Sequence, residues 1–292
     1  RQRQMCIRDR GEIMKTLRGA KNSTVKLGVQ RGNSPELLYF DVTRGDVPVN
    51  SVDVSFEAAK GIGYIKVSKF ARNTYNEFIT AIAKLKQAGC TSFVIDLRGN
   101  TGGYMDAAIN MINEFMPEGR LIVYTEGKSF PRSDVYANGT GTCKDAPIVV
   151  LTDEISASAS EIFSGAIQDN DRGTIIGRRT YGKGLVQTQM SLSDGSEMRL
   201  TIARYYTPSG RCIQKKYEMG NTDAYDQDIY NRYMHGEFDS ADSIKMDDSL
   251  KYQTVGGRTV YGGGGIMPDI FIPRDTSGVT SYYSNVVNSG VL

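Results

Sequence analysis

The chain has 292 residues, enough for one large domain or two smaller ones with an ample core. A hydrophobic share of 39%, a charged share of 23% and a net charge of +2 with no block of like charges are those of a globular protein, and they give no support to nucleic-acid binding or strong membrane-surface binding. No apolar run approaches the ~18 residues of a membrane span, and no signal peptide is visible.

Residues 1–10, "RQRQMCIRDR", carry neither periodicity nor a targeting pattern and are set aside as a non-native leader, together with Cys6. Ile13, Met14 and Leu17 suggest a short helix. Two alternating runs come next, with Val25, Leu27 and Val29 on one and Leu38, Phe40 and Val42 on the other, joined by "RGNSP"; they read as a β-hairpin of a small module. "RGDVPVNSVD" reads as a linker. From Gly61 strands and helices alternate: "GIGYIKVSKF" is a strand, Phe78, Ile79, Ile82 and Leu85 form the stripe of a helix closed by Gly89, and "TSFVIDL" is a buried strand ending in "RGNTGG". Met105, Ala108, Ile109, Ile112 and Phe115 make the next helix. "LIVYTE", "APIVVLTD", the stretch "EISASASEIFSGAIQDN" and "GTIIGRR" continue the series, which predicts an α/β domain with a largely parallel sheet. After Gly184 the pattern changes to "LVQTQMSL" and "EMRLTIARYY" around "SDGS", a β-hairpin signal. Residues 213–258 read as loop with some helix, and "YGGGGIMPDIFIP" as a turn and an extended segment.

Three local patterns invite chemistry. "GRRTYGKG" matches the phosphate-loop spacing up to Gly184, which stands where a Ser or Thr would hold Mg²⁺. Such a loop must open a helix, yet Val186, Thr188, Met190 and Leu192 succeed it at period two, so a strand is expected and the phosphate reading is rejected. "STVK" fits S-x-x-K, but its alternation puts Ser23 and Lys26 on opposite faces of a strand, and the match is one of chance. The third pattern is the serine alternation Ser156, Ser158 and Ser160 between a central apolar strand and an amphipathic stretch. A serine at a strand-to-helix turn sits among unpaired N–H groups at a helix N-terminus, which suits an alkoxide and an oxyanion. It equally suits an N-cap, and Ser158 with Glu161 three residues on fits a capping box.

A nucleophile needs a base. The single histidine, His235, makes a Ser–His–Asp triad poorly supported and excludes a zinc site built from several histidines. Cys90, Cys143 and Cys212 show neither a metal pattern nor a disulfide framework. The alternative base is a lysine in a site that favours its neutral form, and Lys183 lies between two glycines with no carboxylate between Asp171 and Asp194. Gln187, four residues on, falls on the same strand face and could orient Lys183 without charging it. A solvated turn lysine fits the spacing as well.

"DLRGNTGG", "SASASEI" and "YGKGLVQ", in that order, closely resemble the C-terminal processing peptidases, or tail-specific proteases, from about Gly11 to the C-terminus; "RYYTPSGRCIQ" and "YGGGGIMPD" resemble members from Bacteroidota. The resemblance implies a serine endopeptidase with Ser158 as nucleophile, Lys183 as general base and Gln187 as the residue orienting it. It implies an oxyanion hole from the amides of Ala159 and of Gly103, with Gly102 as the alternative glycine, and no cofactor or metal. It leaves Ser156 and Ser160 as turn and cap residues. The implied fold is an α/β protease core of the crotonase-like kind, with a largely parallel sheet plus β-hairpin (residues 47–292), preceded by the C-terminal part of a PDZ domain (residues 11–46). Since the first PDZ strands, the carboxylate loop and the export signal are missing from the sequence, the resemblance implies a piece of a longer precursor exported to the periplasm or cell envelope. It implies protein substrates with exposed C-terminal tails, no nucleic acid, and leaves open a homo-oligomer. The alternative is a catalytically silent peptide- or ligand-binding module of the same fold. If the dyad is present, Ser158 Oγ is expected within or near hydrogen-bond reach of Lys183 Nζ.

Overall fold

The computed structural model describes residues 10–32, 36–46, 50–217, 222–277 and 280, in two units divided between Val49 and Asn50. Most of the leader segment, the centre of the "RGNSP" loop, part of the expected linker and the C-terminal "GVL" lie outside the described residues.

In the first unit a helix α1 (Arg10–Leu17) precedes the strands β1 (Thr24–Gln30) and β2 (Leu37–Thr43), which pair antiparallel. The register sets Val25, Leu27 and Val29 opposite Val42, Phe40 and Leu38, so the two apolar runs share one face, as their alternation predicts. The Arg44 guanidinium ties the hairpin to the helix end through the carbonyls of Leu17 (2.7 Å) and Thr16 (3.1 Å) and the hydroxyl of Ser23 (2.9 Å).

The second unit is built on a six-stranded sheet. Its strands are β3 (Val52–Ala59), β4 (Ile62–Val67), β5 (Ser92–Asp96), β8 (Ile148–Thr152), β9 (Thr174–Gly177) and β14 (Ile270–Phe271), in the order β14-β9-β8-β5-β4-β3. Every neighbour is parallel except β3, which joins β4 as an antiparallel hairpin at the edge. The segment expected as linker overlaps β3: its Val52 and Asp53 already belong to that strand.

The helices α2 (Thr74–Gln87), α3 (Met105–Asn113) and α4 (Ala159–Asp169) connect the parallel strands. α2 buries Phe78, Ala81, Ile82 and Leu85, four of the positions a 3.6-residue period brings to one side. It ends where Gly89 adopts φ +92° and returns its N–H to the Lys86 carbonyl at 3.0 Å. α4 is buried along its whole length, so its polar residues must find partners inside the protein. Phe78, Phe93 and Phe163 meet Phe115 edge-on, with centroids 6.2, 6.3 and 6.5 Å apart, at the centre of the core.

One expectation is corrected. "LIVYTE" (β6, Leu121–Gly127) does not continue the parallel sheet. It turns at once into β7 (Phe130–Tyr136), and both join a separate antiparallel sheet with β10 (Leu185–Ser191) and β11 (Glu197–Tyr206), in the order β10-β11-β6-β7. A two-residue turn leaves no length for a crossover helix, and only antiparallel pairing is then open to the chain. The β10–β11 hairpin stands where the sequence predicts it, with β10 at the sheet edge. The polar stretch after residue 213 contains α5 (Thr222–Met234) and the small hairpin β12 (Lys251–Gln253) and β13 (Thr259–Tyr261).

Candidate active site

The C-terminal end of β8 runs into a turn that carries the three serines and opens α4. Ser156 is fully buried and donates through Oγ to the Leu97 carbonyl at 2.9 Å; Ser160, also fully buried, donates to the Asn100 carbonyl at 2.9 Å. Both latch the turn to the loop at the end of β5, so Ser160 is not the cap expected of it: it lies inside α4, and Ser158 holds the N-cap position. Ser158 is different. It is half-buried, and its backbone is held at φ +57° and ψ −114°, outside the regions an L-residue prefers. Such strain persists only where the surroundings over-determine the conformation.

The surroundings are three loops. The first is "RGNTGG", whose buried Asn100 donates to the Val67 carbonyl (2.9 Å), accepts the Gly102 N–H on its side chain (2.8 Å), and accepts the Ala157 N–H on its carbonyl (3.0 Å). Gly102 and Gly103 have φ of +97° and +145°, and no other residue type fits: a Cβ on Gly103 would lie 2.0 Å from the Phe70 carbonyl oxygen. Because the Gly102 N–H is taken by Asn100, the two glycines are not equivalent. Among the described residues, the amides of Gly103 and of Ala159 donate to no protein acceptor.

The second loop carries Lys183. Gly182 and Lys183 donate their N–H groups to the Glu161 carboxylate at 2.7 and 2.9 Å, Gly184 donates to the Gln214 side chain at 2.9 Å, and the Lys215 N–H donates to the Gly182 carbonyl at 3.0 Å. The loop leads directly into β10, so the phosphate-loop reading fails as the alternation predicts. The third loop is the "YGGGG" segment, which packs on Thr180 through Gly265 and Ile266.

The serine turn and the first two loops border a cavity of about 660 Å³ lined by Ser158, Ala159, Gly102, Gly103, Lys183 and Gln187, all six residues singled out from the sequence. Phe70, Met105 and Ile162 add apolar lining, and Gln189 and Arg199 polar lining. The shared placement of Lys183 and Gln187 does not come from strand alternation. β10 begins only at Leu185, so Lys183 stands on the loop before the strand; opposite Val186 and Gln187 the register shifts, with Ile202 of β11 as the extra residue. Lys183 is half-buried and Gln187 exposed; among the described residues no hydrogen bond joins Ser158 Oγ to Lys183 Nζ. His235 is exposed beyond α5 and is not part of the cavity lining.

Two further residues stand at the centre. Glu161 is fully buried; burial pushes its carboxyl up, against the pull of its Thr180 hydroxyl and backbone N–H partners. The Tyr205 hydroxyl lies between the carbonyls of Ser158 (3.0 Å) and Lys183, and burial pushes it well above the ordinary phenol value, so it stays a donor. Asn100, Thr180 and Tyr205 all lie inside stretches the sequence singles out, but no spacing rule marks them.

Strand-turn-helix geometry, a cavity at the carboxyl ends of parallel strands and the three ordered motifs define a member of a serine-peptidase family. Residues 61–223 match the model of peptidase family S41, and the chain belongs to that family. It is 36% identical over 207 residues to a carboxyl-terminal-processing protease of Synechocystis sp., covering 70% of this chain and 48% of that protein. It is also 36% identical over 206 residues to a probable CtpA-like serine protease of Staphylococcus aureus, covering 70% of this chain and 41% of that one. The chain therefore spans less than half the length of these two relatives. Among solved structures it resembles a photosystem II D1 C-terminal processing protease, with a TM-score of 0.55, 27% identity and coverage of 87% of this chain and 57% of the other.

Proposed function

We propose that the protein is a serine endopeptidase that cleaves peptide bonds near the C-terminus of protein substrates through a Ser158–Lys183 dyad. Lys183, in its neutral form, takes the proton of Ser158 Oγ as the oxygen attacks the scissile carbonyl, and passes it to the amine as the C–N bond breaks, which returns Lys183 to its neutral form. The developing oxyanion is received by the N–H groups of Ala159 and Gly103, and the acyl-enzyme that forms as the amine leaves is hydrolysed by water with Lys183 again as base. Gln187 orients Lys183. The observation that carries this reading is the convergence of Ser158, Lys183 and two unclaimed amides on one cavity. The absence of a Ser158–Lys183 hydrogen bond is compatible with it, since catalytic contacts are often long before substrate closes them.

Residues 11–46 are read as the C-terminal part of a PDZ domain and residues 47–292 as the catalytic domain, acting on tails of proteins outside the cytoplasm. The strained Ser158 backbone favours an enzyme over a silent binding module, which has no use for that conformation. The test is cleavage of an unstructured polypeptide with an apolar C-terminus by the protein and by Ser158→Ala. Cleavage by the native chain and none by the variant is expected; equal rates would sink the proposal.

A further inference from the structure

Ser158 and Lys183 lie on separate loops, yet the same two side chains join them twice. The Glu161 carboxylate accepts both backbone N–H groups on one oxygen, from Ser158 at 2.8 Å and from Lys183 at 2.9 Å. The Tyr205 hydroxyl reaches both backbone carbonyls, of Ser158 at 3.0 Å and of Lys183. Neither bridge uses the reacting atoms.

Resting on the dyad reading above, we propose that Glu161 and Tyr205 are positioning residues that lock Ser158 and Lys183 in register, and that Thr180, seated on the four-glycine segment, holds Glu161 in place. The second carboxylate oxygen accepts from Gly182 N–H at 2.7 Å and from Thr180 Oγ1 at 2.6 Å. All four partners are donors, so an ionised carboxylate satisfies every one, and a buried charge demands that they be kept. Thr180, itself fully buried, spends its single proton on Glu161 and accepts the Ile266 N–H on the same oxygen at 2.7 Å. Only a hydroxyl can do both.

Seating explains the last glycine of the run. Gly265 has φ +89°, donates to the Ile213 carbonyl at 2.8 Å, and a Cβ on it would lie 2.6 Å from Thr180 O and 2.8 Å from Thr180 Oγ1. A turn alone would not require glycine so close to that hydroxyl. Gly265 acts through Thr180 on Glu161, and through Glu161 on both members of the dyad.

The test uses Thr180→Val, Thr180→Ser and Tyr205→Phe in the full chain, each checked for native thermal unfolding. Thr180→Val and Tyr205→Phe are expected to lose about tenfold or more in kcat with KM within twofold, since small misplacements of reacting groups cost that much. Thr180→Ser, which keeps the hydroxyl, is expected to restore the rate. Equal kcat in all three, with the native chain active and Ser158→Ala silent, would overturn the positioning role and leave the peptidase reading intact. An inactive native chain would instead strike the peptidase reading. Hydrogen exchange then decides the bridge alone: loss of protection at the Ser158, Gly182 and Lys183 amides together in Thr180→Val is expected, and unchanged protection overturns it.

Discussion

Gly102 and Ser158 approach so closely that a Cβ on the glycine would stand 2.7 Å from the Cβ of the serine and 2.7 Å from the Ala157 carbonyl oxygen. The glycine loop after β5 and the turn after β8 are therefore fitted to one another at the level of single methyl groups. Gly102→Ala must push the two loops apart, and its φ of +97° adds strain. A displacement of this size at a reacting centre costs about 10²-fold in rate, so kcat is expected to fall by that order. A steady-state assay showing kcat within threefold of the native value would contradict the fit.

The Ser158 backbone supplies a prediction about stability. At φ +57° and ψ −114° an L-residue is strained by about 1–3 kcal/mol, and glycine is relieved of most of that cost. Ser158→Ala keeps the strain and Ser158→Gly removes it. The glycine variant is expected to unfold at a temperature a few degrees above the alanine variant, although both lose the hydroxyl. Scanning calorimetry of the pair checks this, and an equal or lower midpoint for the glycine variant refutes it.

Arg211 and Asp169 form an ion pair at 2.7 Å with both side chains fully buried, and Asp169 also accepts from the N–H (3.1 Å) and hydroxyl (2.7 Å) of Ser209. Removing one partner leaves a buried charge uncompensated. Arg211→Met is expected to destabilise the protein by about 3–5 kcal/mol, while replacement of both by apolar residues costs much less. Urea unfolding of the single and double variants distinguishes these cases.

Asp96, at the end of β5, sets up a dependence on acid. Burial pushes its carboxyl up, but hydrogen bonds from Arg98 and Tyr64 and the charge of Lys66 outweigh burial and hold it below the ordinary value. A carboxylate depressed in the folded state stabilises above its unfolded value of about 3.9, and that contribution is lost as pH falls through the folded value. Native stability should therefore drop below about pH 4, more steeply than in Asp96→Asn, which has no charge there to lose. Denaturant unfolding between about pH 6 and pH 3 measures both slopes; parallel slopes would contradict the assignment.

Much of this architecture is legible in the residues. The period-3.6 stripes mark α2, α3 and α4, the apolar runs mark β5, β8 and β9, and the alternation after Gly184 marks the β10–β11 hairpin. β3 escapes such a reading because "VDVSFEAA" comes after a Pro-containing linker and buries little of itself at the sheet edge. β6 belongs to a different sheet from the one its pattern suggests, because an apolar run says that a strand is buried and not against which neighbour.

At the site, the residue types around Ser158 and Lys183 and the glycines that permit close approach are local properties, written in the chain as soon as its order is known. Conformational freedom at Gly102 or a cap at Ser158 needs no distant partner to be read. The meeting of the two loops is another matter. Glu161 looks like half of a capping box in the sequence, because its contact with Ser158 spans three residues. Its contacts with Thr180, Gly182 and Lys183, and the bridge that Tyr205 makes across the same pair, exist only after α4, the Lys183 loop and β11 have packed. Periodicity sees neighbours along an element, and burial of a charged group sees whatever the fold brings to it; the second decided what Glu161 does.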